Sequence, residues 1–308
     1  MTIILGTRGS RLALAQTELT KQALEQLADR PKVEVRIIRT TGDQRLDISL
    51  SRPNPKIDRG LFTKELEEAL LRKEIDVAVH SLKDLPTTLP EGLELVVSLP
   101  RHDPGDVLIS KTAKSLRKVP ERGVIATSSL RRRCQILHSR PDLRIVDIRG
   151  NVPTRITKLV QESSWNSIVL AKAGLERLGY RLDQERIDCE SLPLFISNLE
   201  ELLPAVGQGA IGLQVRSNDL ELKQLLVHVN DPETWFCVEA ERALLRMLGG
   251  GCQSPLGVRT RMQKENFWME AILFRDEFTP IFGFVSGKFP DPRAAAAALF
   301  NKIYEQRK

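Results

Sequence analysis

Aromatic residues make up only 5% of the 308 positions, which argues against a stacking platform for single-stranded nucleic acid. The four cysteines, at 134, 189, 237 and 252, form no CxxC pair and no zinc-type spacing. A disulfide framework is not expected in a chain so long and so poor in cysteine, so a reducing compartment is predicted. The four histidines (80, 102, 138 and 228) make no HxxxH or HExxH pair, and no metal is predicted. No GxxxxGK[ST] occurs, and Gly6-x-x-Gly9 stops short of the dinucleotide fingerprint, which disfavours a nucleotide. No apolar run approaches a membrane span. Met1–Gly6 leads into patterned structure without the basic start and apolar core of a secretory signal. These absences predict a cytoplasmic enzyme or binding protein without a membrane partner.

What is present is ordinary in bulk. Apolar residues are 41%, charged residues 28%, and the net charge is +6, a mildly basic balance that suits acidic partners. The length predicts two or three domains. Strands are expected at 3–5, 33–39, 76–80 and 93–99, with helices at 10–28 and 61–73. A second block alternates strands at 107–110, 124–126, 143–148 and 167–170 with helices at 128–140 and 152–161. Such alternation predicts open α/β sheets. Residues 40–60 lack periodicity and predict a functional loop or lid. Residues 191–204 read as loop, and 207–214 as a strand entered through a glycine turn. The last block predicts helices at 220–229, 232–248 and 293–304 and antiparallel strands at 256–261, 267–274 and 281–287.

Chemistry concentrates at strand-to-helix corners. In Ala126-Thr127-Ser128-Ser129-Leu130-Arg131-Arg132-Arg133 a strand ends, hydroxyls cap a helix, and cations fill its first turn. Cations there oppose the helix dipole by about 0.3–1 kcal/mol each, so local stability does not explain them. A bound anion would, by collecting backbone N–H groups, hydroxyls and guanidinium forks together. Arg149-Gly150-Asn151-Val152-Pro153-Thr154-Arg155 and Gly6-Thr7-Arg8-Gly9-Ser10-Arg11 repeat the arrangement. Three such corners at carboxyl ends of strands predict a polyanion cleft.

Two further segments stand out. His80-Ser81-Leu82-Lys83-Asp84-Leu85-Pro86 reads equally as a catalytic carboxylate beside an anion-holding lysine and as an Asp-Leu-Pro turn with a surface lysine. Gly249-Gly250-Gly251-Cys252-Gln253 strips side chains from the approach to one thiol, which suits a thiol bearing a bulky attached group. A Cys–His nucleophilic pair is also open, although no particular histidine is marked for it. Packing is the expected role of Cys134, Cys189 and Cys237.

Together these motifs resemble the porphobilinogen deaminase (hydroxymethylbilane synthase) family, nearly end to end. The resemblance rests on Arg8 and Ser10, Gly60-Leu61-Phe62-Thr63-Lys64-Glu65-Leu66-Glu67, Val79–Pro86 and Thr127–Arg132. It continues through Arg149–Arg155, Leu203-Pro204-Ala205-Val206-Gly207-Gln208-Gly209-Ala210 and Gly250–Gln253. It implies a transferase with a dipyrromethane cofactor in thioether linkage to Cys252. Four porphobilinogens would be added head to tail with loss of ammonia, and hydroxymethylbilane then released by hydrolysis, for haem and other tetrapyrroles. By the resemblance, Asp84 is catalytic, while Lys83, Asp84, Thr127, Ser129, Arg131, Arg132 and Arg149 bind the cofactor. Arg8, Ser10, Gln16, Arg149, Arg155 and Arg177 bind substrate or the growing polypyrrole chain.

The implied fold is two periplasmic-binding-protein-like α/β lobes plus a small α+β C-terminal domain with a three-stranded antiparallel sheet. Domain 1 would span 1–99 and 199–218, domain 2 100–198 and domain 3 219–308, in a monomer whose mobile lid lies near 44–60. Gly249 stands where an acidic residue is usual, which predicts looser cofactor placement, and Arg59 where lysine is common. Pro153 and Ser254 carry little weight. A non-catalytic anion-binding protein of the same architecture has no use for the thiol loop. A nucleic-acid binder calls for basic helical faces rather than cations at capped strand ends.

Overall fold

A computed structural model of the chain describes residues 2–44, 62–182, 186–189, 192–251, 254–276 and 278–306. The first sheet has the order β2-β1-β3-β11-β4, built from β1 (Thr2–Thr7), β2 (Lys32–Ile37), β3 (Val77–Ser81), β4 (Leu93–Ser98) and β11 (Ile211–Arg216). β1 pairs in parallel with β2 and β3, whereas β11 lies antiparallel between β3 and β4. Val77, Ala78, Val79 and His80 are all buried, the near-continuous run expected of a strand covered on both faces. Helices α1 (Arg11–Glu25), α2 (Thr41–Gln44) and α3 (Lys64–Leu71) belong to this part of the chain.

The spacing of Leu12, Ala15, Leu19, Ala23 and Leu27 predicts the inward stripe of α1, but the buried residues differ. Gln16, Thr17, Thr20 and Leu24 are buried, while Leu19 is exposed. Polar residues can face inward here because Thr17 and Thr20 donate to the carbonyls of Ala13 (2.9 Å) and Gln16 (3.0 Å).

The second sheet has the order β7-β6-β8-β5-β10-β9. Its strands are β5 (Asp106–Ser110), β6 (Val124–Ala126), β7 (Arg144–Val146), β8 (Ser167–Ala171), β9 (Arg186–Cys189) and β10 (Leu192–Asn198). β6 is parallel to β7 and β8; β5 is antiparallel to β8 and β10. Helices α4 (Leu130–Ser139), α5 (Val152–Gln161) and α6 (Lys172–Arg177) accompany it. Part of the expected loop at 191–204 is thus a strand. Leu194 and Ile196 alternate into the core, a signal obscured by Pro193 and the polar flanks.

The C-terminal sheet, β12 (Leu256–Gln263), β13 (Asn266–Phe274) and β14 (Pro280–Gly287), is antiparallel in sequence order. α7 (Leu220–Leu226) leads to α8 (Pro232–Met247), which with α9 (Pro292–Glu305) shares one core with this sheet. Ala295 and Ala296 are fully buried in that core, which gives the alanine run its role. The chain is therefore a mixed α/β protein with a C-terminal three-stranded antiparallel sheet. No helix among the described residues is long and apolar enough to cross a membrane.

Two connections link the first two sheets, residues 99–105 from β4 to β5 and 199–210 from β10 to β11. They bond to each other, Leu99 N–H to the Ile211 carbonyl (3.1 Å) and His102 N–H to the Gly209 carbonyl (3.2 Å). Gly209 has φ +86°, and a Cβ there would lie 2.4 Å from the His102 carbonyl oxygen, so no other residue fits this crossing. Glu241 of α8, wholly buried, fastens the C-terminal unit to both connections. Its carboxylate accepts from Arg101 Nη1 (2.7 Å) and Nη2 (3.1 Å), the Gly207 N–H (2.7 Å) and the Thr260 hydroxyl (2.6 Å). Glu241→Ala strands the Arg101 charge and the Gly207 N–H, and should lower unfolding free energy by about 3–5 kcal/mol in a urea titration. Glu34→Ala, which breaks an exposed ion pair with Lys32, should leave the midpoint in place.

Candidate active site

Because β1 and β3 are parallel, their carboxyl ends share one edge of the first sheet. Arg8 and Ser10 follow β1, and Lys83 and Asp84 follow β3 in the 3-10 turn Leu82–Asp84. Ser10 Oγ caps α1 by accepting from the Ala13 N–H at 3.2 Å, worth about 1 kcal/mol. The Arg8 guanidinium lies over the Phe62 ring, 4.2 Å from its centroid. Buried Gln16 donates from Nε2 to Ser81 Oγ at 2.8 Å, which ties α1 to the end of β3.

The second sheet builds a matching edge from the parallel strands β6, β7 and β8. Ser129 caps α4, accepting from the Arg132 N–H at 3.4 Å, and Thr127 Oγ1 accepts from the Ser129 N–H at 3.3 Å. Asn151 caps α5, accepting from the Thr154 N–H at 3.0 Å. Ser128 joins the two corners: its hydroxyl donates to the Ile148 carbonyl (2.9 Å) and accepts from the Ile148 N–H (3.0 Å). Gly150, at φ +117°, makes the turn between Arg149 and α5; a Cβ there would meet Thr154 Cγ2 at 2.8 Å. Arg155 Nε donates to the Gly150 carbonyl at 2.7 Å, and Arg177, ending α6, donates to the Gly209 carbonyl at 2.7 Å.

The charges at these corners do not all wait for an external anion. Arg131 Nη2 and Arg132 Nη2 donate to the two oxygens of Asp106, at 2.8 and 2.7 Å, and Gln208 Nε2 adds a third bond at 2.8 Å. Their Nη1 atoms bond the carbonyls of Leu203 and Val169. Asp106 is 1% exposed. Burial alone would push its carboxyl up, but Arg131 and Arg132 outweigh burial and hold it well below the usual carboxylate range. Sequence reasoning missed Asp106; its one signal is an acid opening the apolar run Val107–Ile109. Phe62, Asn151 and Gln208 also went without an assigned role.

Elsewhere the field remains positive. Burial brings the Lys83 ammonium down to about 8, with Asp84 opposing and Arg132 adding to the shift. Burial, then Arg132 and Arg149, bring Arg155 to about 10, while Asp84 opposes. Arg177 falls to about 10 through burial. Lys83 from the first edge borders one space with Ser129 and Arg131 from the second, so the two edges face one another. The buried Nε atoms of Arg131, Arg132 and Arg177 have no hydrogen-bond partner among the described residues.

A cavity of about 50 Å³ lies where the three sheets meet, lined by Lys83, Ser129 and Arg131 from the two edges and by Gly251 and Ser254 from the C-terminal unit. Cys252 and Gln253 lie outside the described residues, as does the expected lid beyond residue 44, including Arg59. Among the described residues no group of His, Cys, Asp and Glu could hold a metal ion.

Residues 3–224 match the family model described as porphobilinogen deaminase, dipyromethane cofactor binding domain. The chain belongs to the porphobilinogen deaminase family. Residues 235–297 match that family's C-terminal domain. A porphobilinogen deaminase of Syntrophobacter fumaroxidans is 47% identical over 255 residues, 83% of this chain and 78% of that protein. One from Desulforudis audaxviator is 46% identical over 304 residues, 98% of this chain and 94% of that protein. Among solved structures, the periplasmic VFT2 domain of Bordetella pertussis BvgS overlaps 74% of this chain and 86% of its own, at 14% identity and a TM-score of 0.42.

The Asp106 pairing has a pH signature. A carboxyl depressed on folding contributes stability that is complete above its unfolded value, near 3.9, and is lost as pH falls through the folded value. Asp106→Asn should lower unfolding free energy by about 3–5 kcal/mol at neutral pH by stranding two buried guanidiniums. It should also flatten the fall in stability that wild type shows below about pH 4, measured by urea unfolding across pH 3–7.

Proposed function

We propose that the chain is a hydroxymethylbilane synthase, a transferase that condenses four porphobilinogens head to tail with loss of ammonia and releases hydroxymethylbilane. The observation that carries the reading is the shared cavity. Gly251, the residue before Cys252, lines the same space as Lys83, Ser129 and Arg131. A group attached to the thiol would therefore start within reach of cationic and hydroxyl donors. A dipyrromethane joined through a thioether to Cys252 would supply the primer, its free α-carbon taking the first unit and the last ring of the lengthening chain each later one.

The donor set fits such a group. Dipyrromethane carries acetate and propionate arms, and the buried guanidinium Nε atoms of Arg131 and Arg132 are donors with their terminal nitrogens already fixed by Asp106. Lys83, Thr127, Ser129, Arg131, Arg132 and Arg149 would hold these carboxylates. Arg8, Ser10, Gln16, Arg149, Arg155 and Arg177 would hold the substrate and the growing polypyrrole chain. Holding acids at fixed corners aligns the reacting carbons, a proximity effect. An anion beside Lys83 favours its charged form, so binding strengthens the grip that receives it.

Asp84 would perform the electrostatic step. Loss of ammonia leaves positive charge on the incoming unit, and a carboxylate fixed at the end of β3 stabilises it without reorganising. Lys83 beside it would engage a substrate acid. The reading extends to a cytoplasmic monomer with no nucleic-acid or membrane partner, supported by the few, scattered cysteines and by the mild net charge.

Intact-protein mass spectrometry of protein made in porphobilinogen-competent cells tests the reading. Wild type should carry the added mass of two linked pyrroles, and Cys252→Ala should lack it; an unmodified wild type would overturn the assignment. Asp84→Ala should keep the adduct and the fold yet lose at least about 100-fold in kcat, as removal of a charge-stabilising group does elsewhere. Near-normal turnover would remove Asp84 from this role.

A further inference from the structure

Helix α8 turns one face toward the two lobes, made of Val238, Glu241, Arg242 and Leu245 at i, i+3, i+4 and i+7. Val238 packs with Leu82, Leu85 and Ala210, and Leu245 lines the cavity beside Lys83 and Ser129. Between them, Arg242 is 1% exposed. Its Nη1 donates to the Leu85 carbonyl at 3.0 Å and its Nη2 to the Pro86 carbonyl at 2.9 Å. One turn later Arg246 Nη1 donates to the Thr87 carbonyl at 3.3 Å. Glu239 accompanies both, 3.4 Å from Arg242 Nε and 3.6 Å from Arg246 Nη2.

Burying a guanidinium is expensive, and a packed apolar side chain at such a position often serves stability as well or better. What Arg242 offers that an apolar residue does not is a planar fork that fixes two successive carbonyls. Those carbonyls belong to the two residues that follow Asp84. The turn Leu82–Asp84 closes on itself through the Leu85 N–H to the Leu82 carbonyl, at a long 3.3 Å, and Pro86 has no N–H to contribute. The placement of Asp84 therefore depends on what holds residues 85–87 from outside.

We propose that Arg242 is a positioning residue for Asp84. It fixes the segment leaving the Asp84 turn to the helix that runs into the Gly249–Gly251 approach to Cys252. The catalytic carboxylate and the thiol-bearing unit are then set against each other by one side chain, with Arg246 as a weaker second hold. The proposal rests on the function proposed above.

The test compares wild type, Arg242→Lys and Arg246→Ala, each prepared with dipyrromethane attached. Lysine keeps the charge but replaces the fork by a single ammonium. Intact mass should show the adduct in all three, and KM for porphobilinogen should hold, because no substrate-holding side chain is altered. For Arg242→Lys, kcat per adduct-carrying molecule should fall at least about tenfold, and the Leu85 amide should exchange faster with deuterium, as expected of a misplaced reacting group. Arg246→Ala removes a half-buried residue with a longer bond, and should repeat the pattern at about two- to threefold.

A purely structural role would lower yield or melting temperature and leave kcat per loaded molecule at the wild-type value. Wild-type kcat in Arg242→Lys would overturn the proposal, as would lowered kcat with unchanged exchange at residues 85–87. If Arg242→Lys gives no folded protein, wild-type kcat in Arg246→Ala overturns it. A wild type that carries the adduct but does not consume porphobilinogen would instead overturn the proposed function.

Discussion

Positive charge gathered in a sheltered space is the constraint around which this molecule is arranged. Burial, and then the nearby Arg132 guanidinium, depress the protonation of Lys83, Arg131 and Arg155. Asp106 makes the cluster tolerable by binding both Arg131 and Arg132, each oxygen taking one guanidinium. The pairing does a second job. It holds two flexible side chains in fixed directions, with only their buried Nε–H groups left without a partner among the described residues. Preorganised donors of this kind lose little entropy on binding.

The same principle extends from side chains to domains. Each sheet presents its cations at one edge, and the relation of the two edges is set by the two crossing connections, which bond to each other at Leu99, His102, Gly209 and Ile211. Glu241 seals that crossing from the third unit, and Arg242, its neighbour on the same helix, holds the chain beyond Asp84. Opposite charges at adjacent positions thus address two different features, the crossing and the turn that carries Asp84. A helix face with apolar residues at its ends and two opposite charges at its centre, each with its own partner, specifies one seating, since sliding by a turn would bury both charges unpaired.

How much of this was legible in the sequence follows from the range of each interaction. Strand–helix alternation, hydroxyl caps and glycine turns are local, and Ser10, Ser129 and Asn151 cap helices where the chain pattern places them. The corner motifs are local too, so Arg8, Arg131, Arg149 and Arg155 stood out as a set. What could not be read was pairing across sequence distance. Asp106 meets Arg131 and Arg132 from β5, and Glu241 meets Arg101 across 140 positions. Nothing in Glu241-Arg242 distinguishes it from a solvated charge pair on a helix; only the fold shows that it is buried. The α1 stripe erred for a related reason, because threonines that satisfy their hydroxyls on their own helix are as buriable as leucines.

Ser254 illustrates how a substitution without a sequence rationale acquires one. Gly249, in place of an acidic side chain, leaves the approach to Cys252 as three successive glycines, and by itself predicts a loose loop. Yet the described ends of that loop are joined twice. Gly251 N–H donates to Ser254 Oγ at 3.0 Å, and Ser254 N–H donates to the Gly251 carbonyl at 2.9 Å. The hydroxyl fits because position 250 is bare: a Cβ there would lie 2.3 Å from Ser254 Oγ. Gly251 and Ser254 also line the cavity with Lys83 and Arg131, so the bond that closes the loop also builds the wall of the site. Gly249 itself, at φ +68°, ends α8 in the left-handed conformation that glycine adopts without strain, so one end of the approach is set by a helix stop and the other by a hydroxyl beside the cationic residues of the cavity.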